Sequence, residues 1–172
     1  MTGLNAHSPR ALVFGRFVRD LATLSKCEQR GVAAIITDKN GSQIYAIGIN
    51  GGPVGGAQCL CNLGGKYSCV HAEANAIAKD RSYDTDKVMF VTLSPCPTCA
   101  ALIINSGIRR LFYIERWKDT SGLTLLQEAG IPAFQLDLEE RATPSVFGRD
   151  AEQSELEKIR KEALEHSGDS RY

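Results

Sequence analysis

The sequence predicts an α/β fold, a three-layer α/β/α sandwich built on a central mixed five-stranded sheet. Three observations carry this reading. Apolar, β-branched runs alternate with segments of helical periodicity between residues 32 and 136, the pattern of strands joined by helical crossovers. The first two runs are separated by Asp38-Lys39-Asn40-Gly41, a hairpin signal, so the parallel part carries an antiparallel addition. Finally, 172 residues, 43% hydrophobic and 23% charged, suit one globular domain. That domain is taken as 1–172, with a core of about 10–138 and a peripheral C-terminal helix and tail over 139–172.

A helix starts at Pro9, with Val13, Phe14, Phe17, Val18, Leu21 and Leu24 on one face at spacings of three and four. Val32 to Thr37 is the first buried strand, and Gln43 to Ile49 returns as its hairpin partner. The glycine-rich stretch from Asn50 to Gly56 cannot continue a strand. No G-K-[ST] follows it, so it is not a phosphate-binding Walker loop. The length of this connection up to Cys69 marks a functional loop. Val70 to Lys79 reads as a helix and Lys87 to Leu93 as a strand that Ser94-Pro95 stops. A helix from about Pro97 to Asn105 ends at Gly107, and Arg110 to Glu115 is the next strand. Gly122 to Ala129 is helical, Ile131 to Leu136 is a further strand, and 150–166 is a polar helix.

Composition narrows the function. Lys plus Arg and Asp plus Glu are 20 each, and a neutral chain without basic runs weighs against polynucleotide binding. No apolar run reaches about 18 residues, so no membrane span is expected. The N-terminus lacks an apolar signal region. Six cysteines without a secretory signal suggest metal binding in a reducing cytoplasm rather than disulfides.

The chemistry concentrates in His71-Ala72-Glu73 and Pro95-Cys96-Pro97-Thr98-Cys99. A bare C-x-x-C with a histidine would suit a structural metal site. With H-x-E upstream and proline before the first cysteine, the pattern resembles the H-x-E…P-C-x-x-C signature of zinc deaminases. One imidazole and two thiolates hold zinc with a fourth tetrahedral position open for water, whose pKa falls towards ~7. Glu73 then moves the water's proton to the ring nitrogen and to the departing ammonia. His71 and Glu73 are expected in the first turn of their helix, and Cys96 and Cys99 at i and i+3 around the start of theirs.

From about Leu24 to Phe134 the chain resembles the deoxycytidylate (dCMP) deaminases of the cytidine deaminase superfamily, its bacteriophage members in particular. The resemblance rests on Ser25-Lys26-Cys27, Gly48-Ile49-Asn50-Gly51, Pro53, Cys59, H-A-E-A-N-A-I at 71–77 and V-T-L-S-P-C-P-T-C-A at 91–100. Ile103-Ile104-Asn105-Ser106-Gly107-Ile108 and Glu128-Ala129-Gly130-Ile131 extend it. It implies a cytidine deaminase-like fold and zinc-dependent conversion of dCMP to dUMP and ammonia. His71, Cys96 and Cys99 would be the ligands and Glu73 the catalytic residue. It further implies substrate contacts by Asn50, Ala72, Ser94 and Trp117, homo-oligomers (commonly hexamers), and regulation by dCTP and dTTP.

A second, structural zinc is implied at Cys27, Cys59 and Cys69. Cys61 is proposed as its fourth ligand, because the insert that supplies that ligand in the family is short here. The chain departs from the family pattern at Ala33, Ile49, Val54 and Gln58; the loop changes at Val54 and Gln58 touch regulation and leave the chemistry alone. Trp117 stands where members often have tyrosine and is read either as a pocket wall or as simple packing. Alternative substrates are a 5-substituted dCMP, cytidine or deoxycytidine, or a base in a polynucleotide. A reading of another class is a catalytically silent zinc-binding assembly subunit, against which the intact Glu73 weighs. Arg109 and Arg110 are either phosphate ligands or strand-edge charges, and Lys66 and Lys118 are open in the same way.

Overall fold

The computed structural model describes residues 4–55 and 69–138, all within one compact unit, Met1–Leu138. The helix expected over 150–166, and Cys59, Cys61 and Lys66, lie outside the described residues. The elements are α1 (Pro9–Ala22), β1 (Ala33–Asp38), β2 (Ile44–Ile49), α2 (Ala72–Lys79), β3 (Lys87–Leu93), α3 (Pro97–Asn105), β4 (Ile108–Glu115), α4 (Ser121–Glu128) and β5 (Ala133–Gln135). The sheet order is β2-β1-β3-β4-β5. β1 runs antiparallel to both β2 and β3, whereas β3, β4 and β5 run parallel. This is the expected mixed sheet.

The β1–β2 turn is built by Asp38. Its carboxylate accepts from the backbone N–H groups of Ser42 at 2.6 Å and Gln43 at 2.7 Å, and Gly41 takes φ +63°, a conformation that glycine adopts without steric cost.

The period-two alternation of strands divides the core. Ala33, Ile35, Val88, Phe90 and Phe112 face α1 through Ala11 and Val18. Ala34, Ile36, Met89, Val91 and Leu111 face the other layer, meeting Ala72 and Ala76 of α2, Ala100 and Ile103 of α3 and Leu126 of α4. On the α1 side a row of rings, Phe14–Phe90–Phe112–Phe134, has centroids 5.1, 5.0 and 5.5 Å apart, a spacing favourable for aromatic pairs.

The buried stripe of α1 agrees with the expected one at Phe14, Val18 and Leu21 and departs from it elsewhere. Ala11, Gly15 and Val18 are buried, whereas Val13 and Leu24 are 55% and 64% exposed and Phe17 also faces out. Phe14 and Leu21 still pack against the core, and the small residues make room for the chain that follows β5. A Cβ on Gly15 would come within 2.8 Å of a Leu136 methyl. No helix among the described residues is long and apolar enough to cross a membrane.

Two glycines set the helices that carry the chemistry. At Gly48 of β2 a Cβ would stand 2.4 Å from the Ala76 nitrogen in α2, and at Gly122 one would stand 2.0 Å from the Pro95 oxygen. Only hydrogen fits at either place. α2 is thereby seated directly on β2, and the start of α4 on the segment that leads into α3.

Candidate active site and metal centre

α2 and α3 both begin at the carboxyl end of β3. In open α/β sheets ligands gather at that end of the strands. The segment from Leu93 to Cys96 leaves β3 and enters α3, and the connection after β2 enters α2 beside it. That connection is closed at its feet by a bridge between Gly51 and Val70, with N–H···O distances of 2.8 and 3.2 Å.

His71 and Cys96 occupy the N-cap positions of α2 and α3 with extended backbone, and neither side chain caps its helix. His71 is therefore one residue before the first helical turn, rather than inside it. Both side chains turn to each other instead. His71 Nδ1 lies 3.6 Å from Cys96 Sγ and 3.4 Å from Cys99 Sγ, and the three ligand atoms fall within 4.8 Å of one another. Zinc bonds of about 2.3 Å to sulfur and about 2.0–2.1 Å to nitrogen, at tetrahedral angles, put nitrogen and sulfur about 3.6 Å apart. The cradle has that size, and an imidazole with two thiolates is a donor set that suits zinc. Among the described residues this is the one group of three or more such donors close enough to share an ion.

The protons of the cradle are ordered by its own hydrogen bonds. Bonds from Cys99 and then His71 hold the Cys96 thiol down to about 4, so Cys96 is a thiolate at neutral pH. The same contact with Cys96, followed by burial, pushes Cys99 up. His71 is raised, chiefly by its hydrogen bond to Cys96. Glu73, in the first turn of α2, is 4% exposed. Burial pushes its carboxyl up, as desolvation does for any acid whose charged form is disfavoured.

Glu73, His71 and Cys96 form the floor of a pocket of about 220 Å³. Ala72 and Ser94, both buried, line its sides, together with Val32, Leu93 and Trp117. Ser94 Oγ accepts from the Trp117 backbone N–H at 2.8 Å, which fixes the tryptophan backbone at the wall. The Trp117 ring carries Arg30 at 5.7 Å and Lys118 at 5.6 Å from its centroid.

Asn50 also lines the pocket, but its amide is committed to the scaffold. Oδ1 accepts from Ser25 Oγ at 2.6 Å and from the Val32 N–H at 2.9 Å. Nδ2 donates to the Arg30 carbonyl at 2.8 Å and reaches Cys69 Sγ at 3.8 Å. These contacts use both lone pairs and both protons of the side chain. Cys27 and Cys69 line the same pocket, each at one foot of the segments that Asn50 ties. Cys59 and Cys61 lie outside the described residues.

Arg109 and Arg110 stand near the amino end of β4, away from the pocket, and Arg110 donates to the Leu4 carbonyl at 3.0 Å. They are strand-end charges. Arg30 and Gln29 line the pocket as well, and no motif or spacing marks either. They sit in a connection without periodicity, and the partners of Arg30 come from β4 and beyond.

Comparison with known proteins agrees with this geometry. Residues 12–115 match the family model of the cytidine and deoxycytidylate deaminase zinc-binding region. The deoxycytidylate deaminase of Enterobacteria phage T4 is 34% identical over 160 residues, covering 65% of this chain and 82% of that one. The ComE operon protein 2 of Bacillus subtilis (strain 168) is 33% identical over 130 residues, covering 70% and 67%. The crystal structure of the dCMP deaminase from cyanophage S-TIM5 in complex with dCMP and dUMP superposes with a TM-score of 0.68 at 28% identity. That match covers 75% of this chain and 98% of the other.

Proposed function

The chain belongs to the cytidine and deoxycytidylate deaminase family, and from that premise we propose that it is a zinc-dependent hydrolase converting dCMP to dUMP and ammonia. The observation that carries the proposal is the buried Glu73 carboxyl beside the His71–Cys96–Cys99 cradle at the floor of one pocket. The dCMP and dUMP bound to the cyanophage enzyme support the substrate.

His71, Cys96 and Cys99 would hold the ion. The chemistry that a bound zinc supplies is acidification of a water towards a pKa of ~7. Glu73 takes the proton of the attacking water and delivers it to the pyrimidine ring nitrogen. With the water's oxygen now bonded to C4, Glu73 takes the remaining proton of that oxygen and passes it to the exocyclic amine; the C–N bond breaks, ammonia leaves, and C4 keeps a carbonyl. Burial supports both halves of this cycle, because a carboxyl with a raised pKa is a usable acid as well as a base near neutrality. Val32, Leu93 and Trp117 wall the pocket and exclude bulk water, and Ala72 and Ser94 complete the contacts around the base.

The test is ultraviolet-monitored deamination by Glu73→Gln. The variant should retain zinc and its fold, with turnover lower by a factor on the order of 10²–10⁴. Near-normal turnover would sink the mechanism.

Several finer readings belong to the same proposal. Cys27 and Cys69, with Cys59 and Cys61, form a closed four-thiolate zinc site that ties the connection after β2; the position of Cys27 and Cys69 beside Asn50 supports it. The enzyme is a single-domain homo-oligomer, a hexamer by resemblance, works in the cytoplasm, and responds to dCTP and dTTP. Metal analysis should return two zinc per chain.

A further inference from the structure

Arg30 sits in the connection between α1 and β1 with a fixed backbone and an exchangeable side chain. Its carbonyl accepts from Asn50 Nδ2 at 2.8 Å, and Val32, two residues on, donates to Asn50 Oδ1 at 2.9 Å. The main chain is therefore pinned at the mouth of the pocket. The guanidinium lies 5.7 Å from the centroid of Trp117 and pairs with Glu115. That pair is 45% exposed on the arginine side and 59% on the glutamate side, so water screens it and it is readily exchanged.

Among the described residues that line the pocket, Arg30 is the one with a permanent positive charge. His71 is engaged with the cysteines, and Lys118 reaches Trp117 from an exposed position outside the lining. A nucleoside monophosphate brings a dianion to this mouth. A phosphate leaving water needs a charged donor, and a guanidinium fork fits its oxygens two at a time.

We propose that Arg30 is the phosphate-specificity residue of this pocket, held ready on Trp117 by Glu115 until the 5′-phosphate of the substrate displaces that carboxylate. The proposal rests on the deoxycytidylate deaminase reading of the site. Two acceptors compete for one fork. The phosphate carries the larger charge at neutral pH, and Glu115, already exposed, returns to water when it is displaced. Glu115 is thus a positioning residue. It keeps the guanidinium from collapsing elsewhere, and it weakens phosphate binding by the strength of its own pairing.

The experiment uses the zinc-loaded full chain as wild type, Arg30→Gln, Arg30→Lys, Glu115→Gln and Lys118→Gln. dUMP and deoxyuridine are titrated against each, followed by calorimetry and by the emission of Trp117, the single tryptophan of the chain. kcat and KM are measured for dCMP and deoxycytidine. Arg30→Gln should lower the preference for dUMP over deoxyuridine at least tenfold, equivalent to about 1.4 kcal/mol, and Arg30→Lys should recover part of it. Glu115→Gln should tighten dUMP several-fold and lower KM for dCMP more than it changes kcat. An unchanged preference in Arg30→Gln overturns the proposal, as does a Glu115→Gln variant that weakens dUMP as much as Arg30→Gln does. Loss of the preference in Lys118→Gln instead of Arg30→Gln also overturns it. A wild type unable to deaminate dCMP removes the functional reading itself, and this proposal with it. A wild type that turns over dCMP, while Arg30→Gln keeps the preference, removes only this one.

Discussion

A Cβ on Gly48 would lie 2.0 Å from the carbonyl oxygen of Ala72. The strand and the catalytic helix are in backbone contact there, one residue from His71 and Glu73. Gly48→Ala must push α2 off β2. Overpacking of this kind costs about 1–3 kcal/mol, and the obstacle here is backbone rather than a side chain that can rotate away. The melting temperature should fall and deamination should fall further, because Glu73 moves with the helix while Cys96 and Cys99 do not. Equal thermal midpoints for Gly48→Ala and wild type would contradict this packing.

Removing a cradle donor should remove the ion. Cys99→Ser replaces a sulfur 3.4 Å from His71 Nδ1 with a harder, shorter ligand. Zinc per chain should drop by one, and dCMP turnover should vanish. Chelation of the wild type should give the same loss of activity, reversed by added zinc. Full activity after exhaustive chelation, with zinc shown to be absent, would show that the cradle is not a working metal site.

Asn50 should behave as a scaffold residue as well as a pocket residue. Asn50→Ala leaves the Val32 N–H and the Arg30 carbonyl without the partners they have at 2.9 and 2.8 Å. Both bonds are part-buried, so each group thus orphaned costs at most the roughly 1–3 kcal/mol of a buried one. Chemical denaturation should therefore show a measurable loss of stability. Asn50→Asp should also destabilise, since a carboxylate oxygen then faces the Arg30 carbonyl. A variant with wild-type stability and reduced substrate affinity would assign Asn50 to the ligand instead.

The acid limb of stability should trace to Asp80 and Lys87. Their 2.7 Å pair joins the end of α2 to the start of β3 with both side chains 6% exposed. Burial raises the Asp80 carboxyl, but its bonds to Lys87 and to Ser82 outweigh this and leave it below its ordinary value. A folded pKa below the unfolded value of about 3.9 means that the stabilisation is complete above about pH 4. It is lost as pH falls through the folded pKa. Asp80→Asn leaves Lys87 buried and unpaired, at a cost of about 3–5 kcal/mol. Below about pH 4 the gap between variant and wild type should narrow. Denaturation midpoints measured from pH 7 downwards check this, and a gap independent of pH would refute it.

The parts of this molecule legible in the sequence are those where local pattern and chemistry coincide. The strands announce themselves because both faces of β1 and β3 are buried, so Ala33 to Ile36 and Val88 to Val91 are apolar without interruption. His71, Glu73, Cys96 and Cys99 are legible because their spacing follows from two helix starts meeting at one point. On α1 the pattern locates Phe14, Val18 and Leu21 on the inner face but misplaces its edges, because hydrophobicity weighs Val13, Phe17 and Leu24 above Ala11 and Gly15. At Gly15 the Leu136 and Leu138 side chains leave no room for a Cβ, a constraint that a hydrophobicity pattern does not register. Arg30 was invisible for a different reason. Its meaning comes from Glu115 and Trp117, which are distant in sequence, and nothing in the intervening pattern connects them.

The antiparallel clasp between Gly51 and Val70 has an evolutionary consequence. A connection that leaves and re-enters the fold at one hydrogen-bonded point can change length without altering the geometry of either foot. Each doubling adds only about 0.6 kcal/mol of closure entropy. Insertions and deletions between these two residues are therefore nearly invisible to the sheet and to α2. The fold therefore tolerates a change in the size of this stretch, and with it in whatever it binds, without disturbing the hydrolytic centre a few residues away.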